Sequence, residues 1–172
     1  MEIFRPKIYN KNIFEINYAH LKELGITCLV FDLDNTLGLM EHKKCPEEVK
    51  ELIKILKKDF LILICTNNFK RRIKPYLEDL EIDGECLSMK PTSLGLSRII
   101  RKHNLKKEEM CLIGDQMLTD VCAGNRFGIT TILVDPMGEK ELKITGINRF
   151  IENIIMNKYQ KRGIFERGKY YE

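Results

Sequence analysis

Residues Phe60-Leu61-Ile62-Leu63-Ile64-Cys65 form six apolar positions without a polar interruption. A strand with one wet face alternates apolar and polar residues, so a short and uniform run belongs to a strand covered on both faces. Runs of the same kind recur at Cys28–Phe31 and Met110–Ile113, and the strand-like Thr130–Val134 ends in Ile132-Leu133-Val134. Helical segments separate them. Cys45-Pro46 opens a helix to about Lys58, with proline at the first helical position and Glu47 and Glu48 in the first turn. A second helix covers about 69–80. A short strand near Cys86–Leu87 precedes Pro91 and a helix through His103. A fourth helix, about 118–127, stops at Gly128. Five strands with four intervening helices predict a doubly wound, mostly parallel α/β sheet.

The 172 residues fit a single domain, 1–172, with a core at about 27–136 and a C-terminal helix and basic tail at about 146–172. In that helix Ile147, Ile151, Ile154 and Ile155 make an apolar stripe expected to pack on the core. Lys158, Lys161, Arg162, Arg167 and Lys169 follow as a charged tail. Before the first strand, Leu21 and Leu24 suggest a short helix. A net charge of +4 is too mild to argue nucleic-acid binding. No stretch has transmembrane length and no signal-peptide pattern opens the chain, so a cytosolic protein is expected. None of the six cysteines forms a C-x-x-C pair. Cys28, Cys65 and Cys111 fall in or beside apolar runs and read as small buried hydrophobes in a reducing compartment. His20, His42 and His103 show no ligand spacing.

An open parallel sheet binds ligands outside the carboxyl ends of its strands. Asp32 and Asp34 follow the first run, and residues two apart on an extended chain point the same way. Two carboxylates brought together need a cation, and a hard divalent ion such as Mg²⁺, shared with phosphate oxygens, answers that need. Thr66, Asn67 and Asn68 follow the next run, Lys90-Pro91 precedes the third helix, and Gly114-Asp115 with Asp120 follows the fourth strand. Carboxylates, a lysine and a hydroxyl at one edge fit metal-assisted phosphoryl transfer. Taken singly, each has a plainer reading: strand-end acids for Asp32 and Asp34, a helix cap for Thr66, a solvated lysine for Lys90, a dipole-stabilising acid for Asp120. Arg71, Arg72 and Arg126 read as solvated helix residues, with contact to the substrate as the alternative.

Together, in this order, these residues resemble the four motifs of the haloacid dehalogenase superfamily of phosphohydrolases, over about residues 27–136. Asp34-Asn35-Thr36-Leu37, Thr66-Asn67-Asn68, Lys90-Pro91, Gly114-Asp115-Gln116 with Thr119-Asp120, and Gly124-Asn125-Arg126 look like its YqeG branch, which is similar to mitochondrial phosphatidylglycerophosphate phosphatase. The resemblance implies a Rossmann-like sheet and a Mg²⁺-dependent phosphomonoesterase working through an aspartyl-phosphate. By carry-over Asp32 is the nucleophile and Asp34 the acid and base. Mg²⁺ is held by Asp32, the Asp34 carbonyl and Asp115. Thr66, Asn67 and Lys90 meet the phosphoryl group. Asp120 orders metal-bound water or positions Lys90. The 29 residues 37–65 and the 23 residues 67–89 leave no room for an inserted cap domain. An open site suits a phospholipid head group, with phosphatidylglycerophosphate as expected substrate and peripheral membrane contact at the inner face. A soluble sugar phosphate or nucleotide is the alternative, and a non-enzymatic interaction protein is disfavoured because no motif residue is lost.

Overall fold

The structure, a computed structural model, describes residues 2–138 and 143–172, with side chains described outside 139–149. Six parallel strands form one sheet: β1 Ile8–Asn10, β2 Cys28–Phe31, β3 Leu61–Cys65, β4 Asp83–Glu85, β5 Met110–Gly114 and β6 Thr130–Val134. Their order is β1-β6-β5-β2-β3-β4. Side-chain alternation sorts the apolar runs into two layers. Leu29, Phe31, Ile62, Ile64, Cys111 and Ile113 join one core with Val49, Ile53, Ile73 and Tyr76. Cys28, Val30, Leu63, Cys65, Met110 and Leu112 join the other with Leu96, Ile99, Ala123 and Phe127. The uninterrupted runs thus record helices on both faces.

The covering helices are α1 Tyr18–Glu23, α2 Glu47–Leu56, α3 Lys70–Leu80, α4 Leu94–His103, α5 Cys122–Phe127 and α6 Lys143–Lys161. Pro46 is the N-cap of α2 rather than its first helical residue. Gly128 ends α5 at φ +84°, a conformation open to glycine. The strand expected near Cys86–Leu87 lies three residues earlier. The expected 118–127 helix divides into a π-helical turn, Met117–Val121, and α5. Such turns often mark functional positions.

The sixth strand was not among the expected elements. Ile8–Asn10 is three residues long, too short for period-2 alternation to register, and it pairs parallel with β6. The C-terminal tail folds back onto it. Tyr171 pairs antiparallel with Tyr9, and Phe165 is buried against the Tyr9 ring. The α6 stripe also differs from expectation. Ile151 and Ile154 are exposed and Ile155 is partly buried, while Glu152, Met156 and Tyr159 are the buried positions. Ile147 lies among the residues whose side chains are not described. Glu152 is drawn inward because its Oε1 accepts the Leu118 N–H at 2.8 Å, tying α6 to the π-helical turn. No helix among the described residues is long and apolar enough to cross a membrane. All six cysteines carry free thiols, and burial pushes that of Cys28 up to about 12, as suits an inert core residue.

Candidate active site

The chain runs β2, β3, β4 to one side and then returns to place β5 on the other side of β2. The crevice between β2 and β5 is therefore the point where the sheet reverses direction, the usual ligand position in an open α/β sheet. Register brings the chemistry there. Phe31 lies opposite both Ile64 and Ile113. One residue further, Asp32 leaves β2 with its N–H bonded to the Ile113 carbonyl at 2.8 Å. Thr66 follows β3 and Asp115 follows β5 one register position further along.

Asp32, Asp115 and Asp120 are all buried, and each offers a carboxylate oxygen within 4.8 Å of the others. Lys90 Nζ donates to Asp32 Oδ1 at 2.5 Å, to Asp120 Oδ1 at 2.6 Å and to the Cys65 carbonyl at 2.7 Å. Burial pushes the Asp32 carboxyl up, and the Asp120 charge adds to this; Lys90 opposes both. Burial alone would lower the Lys90 pKa, but the Asp120 and Asp32 carboxylates more than reverse it and keep the ammonium charged. Three buried carboxylates carry more negative charge than one lysine offsets. Their hard oxygen donors fit a divalent cation.

The π-helical turn sets Asp120. It points the carboxylate back, so that Oδ2 accepts the Gln116 N–H at 3.1 Å while Oδ1 meets Lys90. Gly114 makes space for this, since a Cβ there would stand 2.4 Å from Asp120 Cγ. Gly114→Ala is expected to lower stability by roughly 1–3 kcal/mol through overpacking. It should also reduce turnover by displacing Asp120 from Lys90. Thermal unfolding beside a phosphatase assay checks both.

Lys90 itself is placed by Asn67. The Asn67 side chain accepts the Lys90 N–H at 2.8 Å and donates to the Lys90 carbonyl at 2.9 Å. Its amide is thus engaged with the Lys90 backbone. Thr66, 1% exposed, accepts the Asn68 N–H at 3.3 Å. It does not cap α3, whose N-cap is Phe69 without a side-chain bond.

Asp34 lies beyond Asp32, in a tight turn where Asn35 takes φ +61°. Its Oδ2 accepts from Asn68 Nδ2 at 2.7 Å. Its Oδ1 accepts from Arg72 Nε at 3.0 Å and Nη2 at 2.7 Å. Arg72 also donates to the His42 carbonyl at 2.7 Å and the Leu39 carbonyl at 3.1 Å, and lies over the Tyr76 ring. Arg72, which the sequence offers as a solvated helix residue or a substrate contact, is instead committed to Asp34. The available signal was its position four before Tyr76, which places it beside the buried stripe of α3. Arg126 makes no comparable contact with the site among the described residues.

The turns after β3 and β4 hold a set of exposed apolar side chains: Phe69, Leu87, Met89 and Leu94. Leu87 N–H bonds the Asn68 carbonyl, and Gly95 N–H bonds the Ser88 carbonyl, so these turns are stitched together at the sheet's carboxyl edge. No domain is inserted between Thr36 and Thr66 or between Thr66 and Lys90 among the described residues.

The fold, and carboxylates gathered around a lysine at the reversal point, define a phosphohydrolase-like α/β protein. Residues 29–110 match the haloacid dehalogenase-like hydrolase family model, and residues 88–141 match a second model described as HAD-hydrolase-like. The chain is 36% identical to the probable phosphatase YqeG of Bacillus subtilis, over 94% of this chain and 95% of that protein. It is 24% identical to phosphatidylglycerophosphate phosphatase 1, chloroplastic/mitochondrial, of Arabidopsis thaliana, over 92% of this chain and 49% of that protein. The cobalt-bound deoxy-D-mannose-octulosonate 8-phosphate phosphatase YrbI of Haemophilus influenzae shares the fold. Its TM-score is 0.51 at 14% identity, over 86% of this chain and 97% of that one. The chain belongs to the haloacid dehalogenase-like hydrolase family and is a phosphatase enzyme.

Proposed function

We propose that this chain is a Mg²⁺-dependent phosphomonoesterase that dephosphorylates phosphatidylglycerophosphate to phosphatidylglycerol. The observation that carries the chemistry is the buried Asp32–Lys90–Asp120 cluster at the sheet reversal, with Asp34 held just outside it by Arg72 and Asn68.

An Asp32 oxygen attacks phosphorus, and the P–O bond to the leaving alcohol breaks as Asp34 donates a proton to it. Asp34 then takes a proton from water, whose oxygen attacks the aspartyl-phosphate and frees inorganic phosphate with Asp32 regenerated. Lys90 and the Thr66 hydroxyl face the transferring oxygens, and Asn67 keeps the Lys90 backbone in place. Asp32, Asp115 and the Asp34 carbonyl would hold Mg²⁺, which when bound would supply charge neutralisation for the phosphoryl oxygens. Asp120 positions Lys90.

Two observations support a lipid substrate. The Arabidopsis relative is named for this activity. The exposed Phe69, Leu87, Met89 and Leu94 suit a site presented to an interface at the inner face of a membrane, with the protein in the cytoplasm.

The test is phosphate release from phosphatidylglycerophosphate in mixed micelles with Mg²⁺, beside a panel of soluble sugar phosphates and nucleotides. Chelation and Asp32→Asn should each abolish lipid turnover. Turnover of soluble esters above that of the lipid would replace the substrate while keeping the reaction.

A further inference from the structure

A cleft of about 620 Å³ lies between the 39–43 loop and the start of α3, lined among others by Met40, Lys43, Phe69, Arg71, Arg72 and Pro75. Its floor is Arg72, whose guanidinium binds Asp34 directly. An acid that protonates a leaving oxygen must lie within hydrogen-bond reach of that oxygen, and the cleft shares Arg72 with that acid.

Its lining has two characters. Lys43 and Arg71 are exposed and, among the described residues, make no ion pair. Among the described residues some surface cations find an acid, as Lys22 does with Asp59 and Arg98 with Glu85, and others such as Lys54 and Lys70 do not; what sets Lys43 and Arg71 apart is that both line a cleft that includes Arg72. Beside the two free cations stand Phe69, 72% exposed, and the hydrocarbon of Met40 and Pro75. Arg72, by contrast, is committed to Asp34, Leu39 and His42.

We infer that this cleft is the leaving-group subsite and that Lys43 and Arg71 receive a second anion of the substrate, a phosphodiester or comparable group a short polyol away from the scissile phosphate. Two cations with open donors reward such an anion with charge-assisted bonds, and the apolar wall accepts the hydrocarbon beyond it. A phosphomonoester lacking the second anion meets only the phosphoryl end of the site. The inference rests on the phosphatase reading with Asp34 as the acid, and it deepens that reading by saying what the leaving group carries.

The experiment compares kcat/KM for three substrates: phosphatidylglycerophosphate in mixed micelles, its soluble deacylated head group, and glycerol 3-phosphate. The head group keeps both phosphates and glycerol 3-phosphate has one. The wild type should favour the head group over glycerol 3-phosphate, chiefly through KM. In the Lys43→Gln, Arg71→Gln double variant that ratio should fall roughly ten-fold or more, with micellar lipid falling alongside. Both side chains are exposed, so the fold is retained, and thermal unfolding checks it. An unchanged ratio, or a parallel fall for both soluble substrates, overturns the subsite. A wild type inactive on both lipid and head group overturns the lipid reading instead. The cleft is then judged by the same ratio between glucose 1,6-bisphosphate and glucose 6-phosphate. Preference for the bisphosphate that the double variant loses upholds the subsite, and no preference overturns it.

Discussion

Asp32→Asn is expected to lower phosphatase activity by roughly 10³-fold or more while raising the thermal stability of the chelated protein. On the proposed mechanism, the loss of activity follows from removing the charge of the oxygen that would attack phosphorus. The gain in stability follows from where that charge sits. Burial and the neighbouring Asp120 both hold the Asp32 carboxyl above its ordinary value, and Lys90 only partly compensates. A carboxyl raised in the folded state takes up protons on folding, so its contribution to stability falls as pH climbs from the ordinary carboxylate range to about 7. Asparagine keeps the shape and an acceptor for Lys90 but has nothing to ionise. The melting temperature of Asp32→Asn should match the wild type near pH 4 and exceed it by a few degrees, of the order expected for 1–2 kcal/mol, at neutral pH in chelator. Added Mg²⁺ should narrow the gap by stabilising the wild type alone. A gap that is constant across this pH range would contradict the account.

Lys90→Met should have the opposite effect on stability and a similar effect on turnover. The lysine side chain is 3% exposed and joins two carboxylates and the Cys65 carbonyl. Methionine fills the space of its stem and leaves Asp32 and Asp120 facing one another without a cation. Removing one partner from a buried ionic cluster costs roughly 3–5 kcal/mol. In a chain of this length that is a fall of roughly 10 °C in melting temperature. Adding Asp120→Asn should recover part of the stability, because one of the stranded charges is gone, and none of the activity. Strictly additive losses in the double variant would mean that Lys90 and Asp120 do not act as a unit. Thermal unfolding of the two single variants and the double variant decides it.

The alternation of apolar runs and helices made the four central strands β2, β3, β5 and β6 legible, because burial on both faces leaves a continuous signature in each; the edge strand β4, Asp83-Gly84-Glu85, has no such run and was expected three residues too late. The clustering at the sheet's reversal point was legible for a related reason. Each polar residue followed immediately on a run, so Asp32, Thr66 and Asp115 had to emerge at one edge. Three features were not legible. The pairing of Ile8–Asn10 with β6 joins segments far apart in sequence, and three residues carry too little pattern to announce it. The tie between Arg72 and Asp34 depends on a side chain crossing from α3 to the turn after β2, which local periodicity does not encode. The α6 stripe misled because a buried glutamate, Glu152, was drawn in by an open backbone N–H at Leu118, and that demand arises only once the π-helical turn has formed.

The docking of the tail on β1 bears on how copies of this protein meet one another. β1 is an outer strand of the sheet, and its outward backbone groups are a template for any passing strand. Tyr9 N–H and carbonyl are instead bonded to Tyr171 at 2.8 and 2.9 Å, and the Tyr171 hydroxyl reaches the Pro6 carbonyl at 3.0 Å. Tyr9 and Tyr170 both donate their hydroxyls to Asp135, closing the seam with side chains. The last residues of the described chain thus serve as a self-supplied blocking strand, and growth of the sheet by edge addition is checked on this side by the protein's own sequence rather than by a partner.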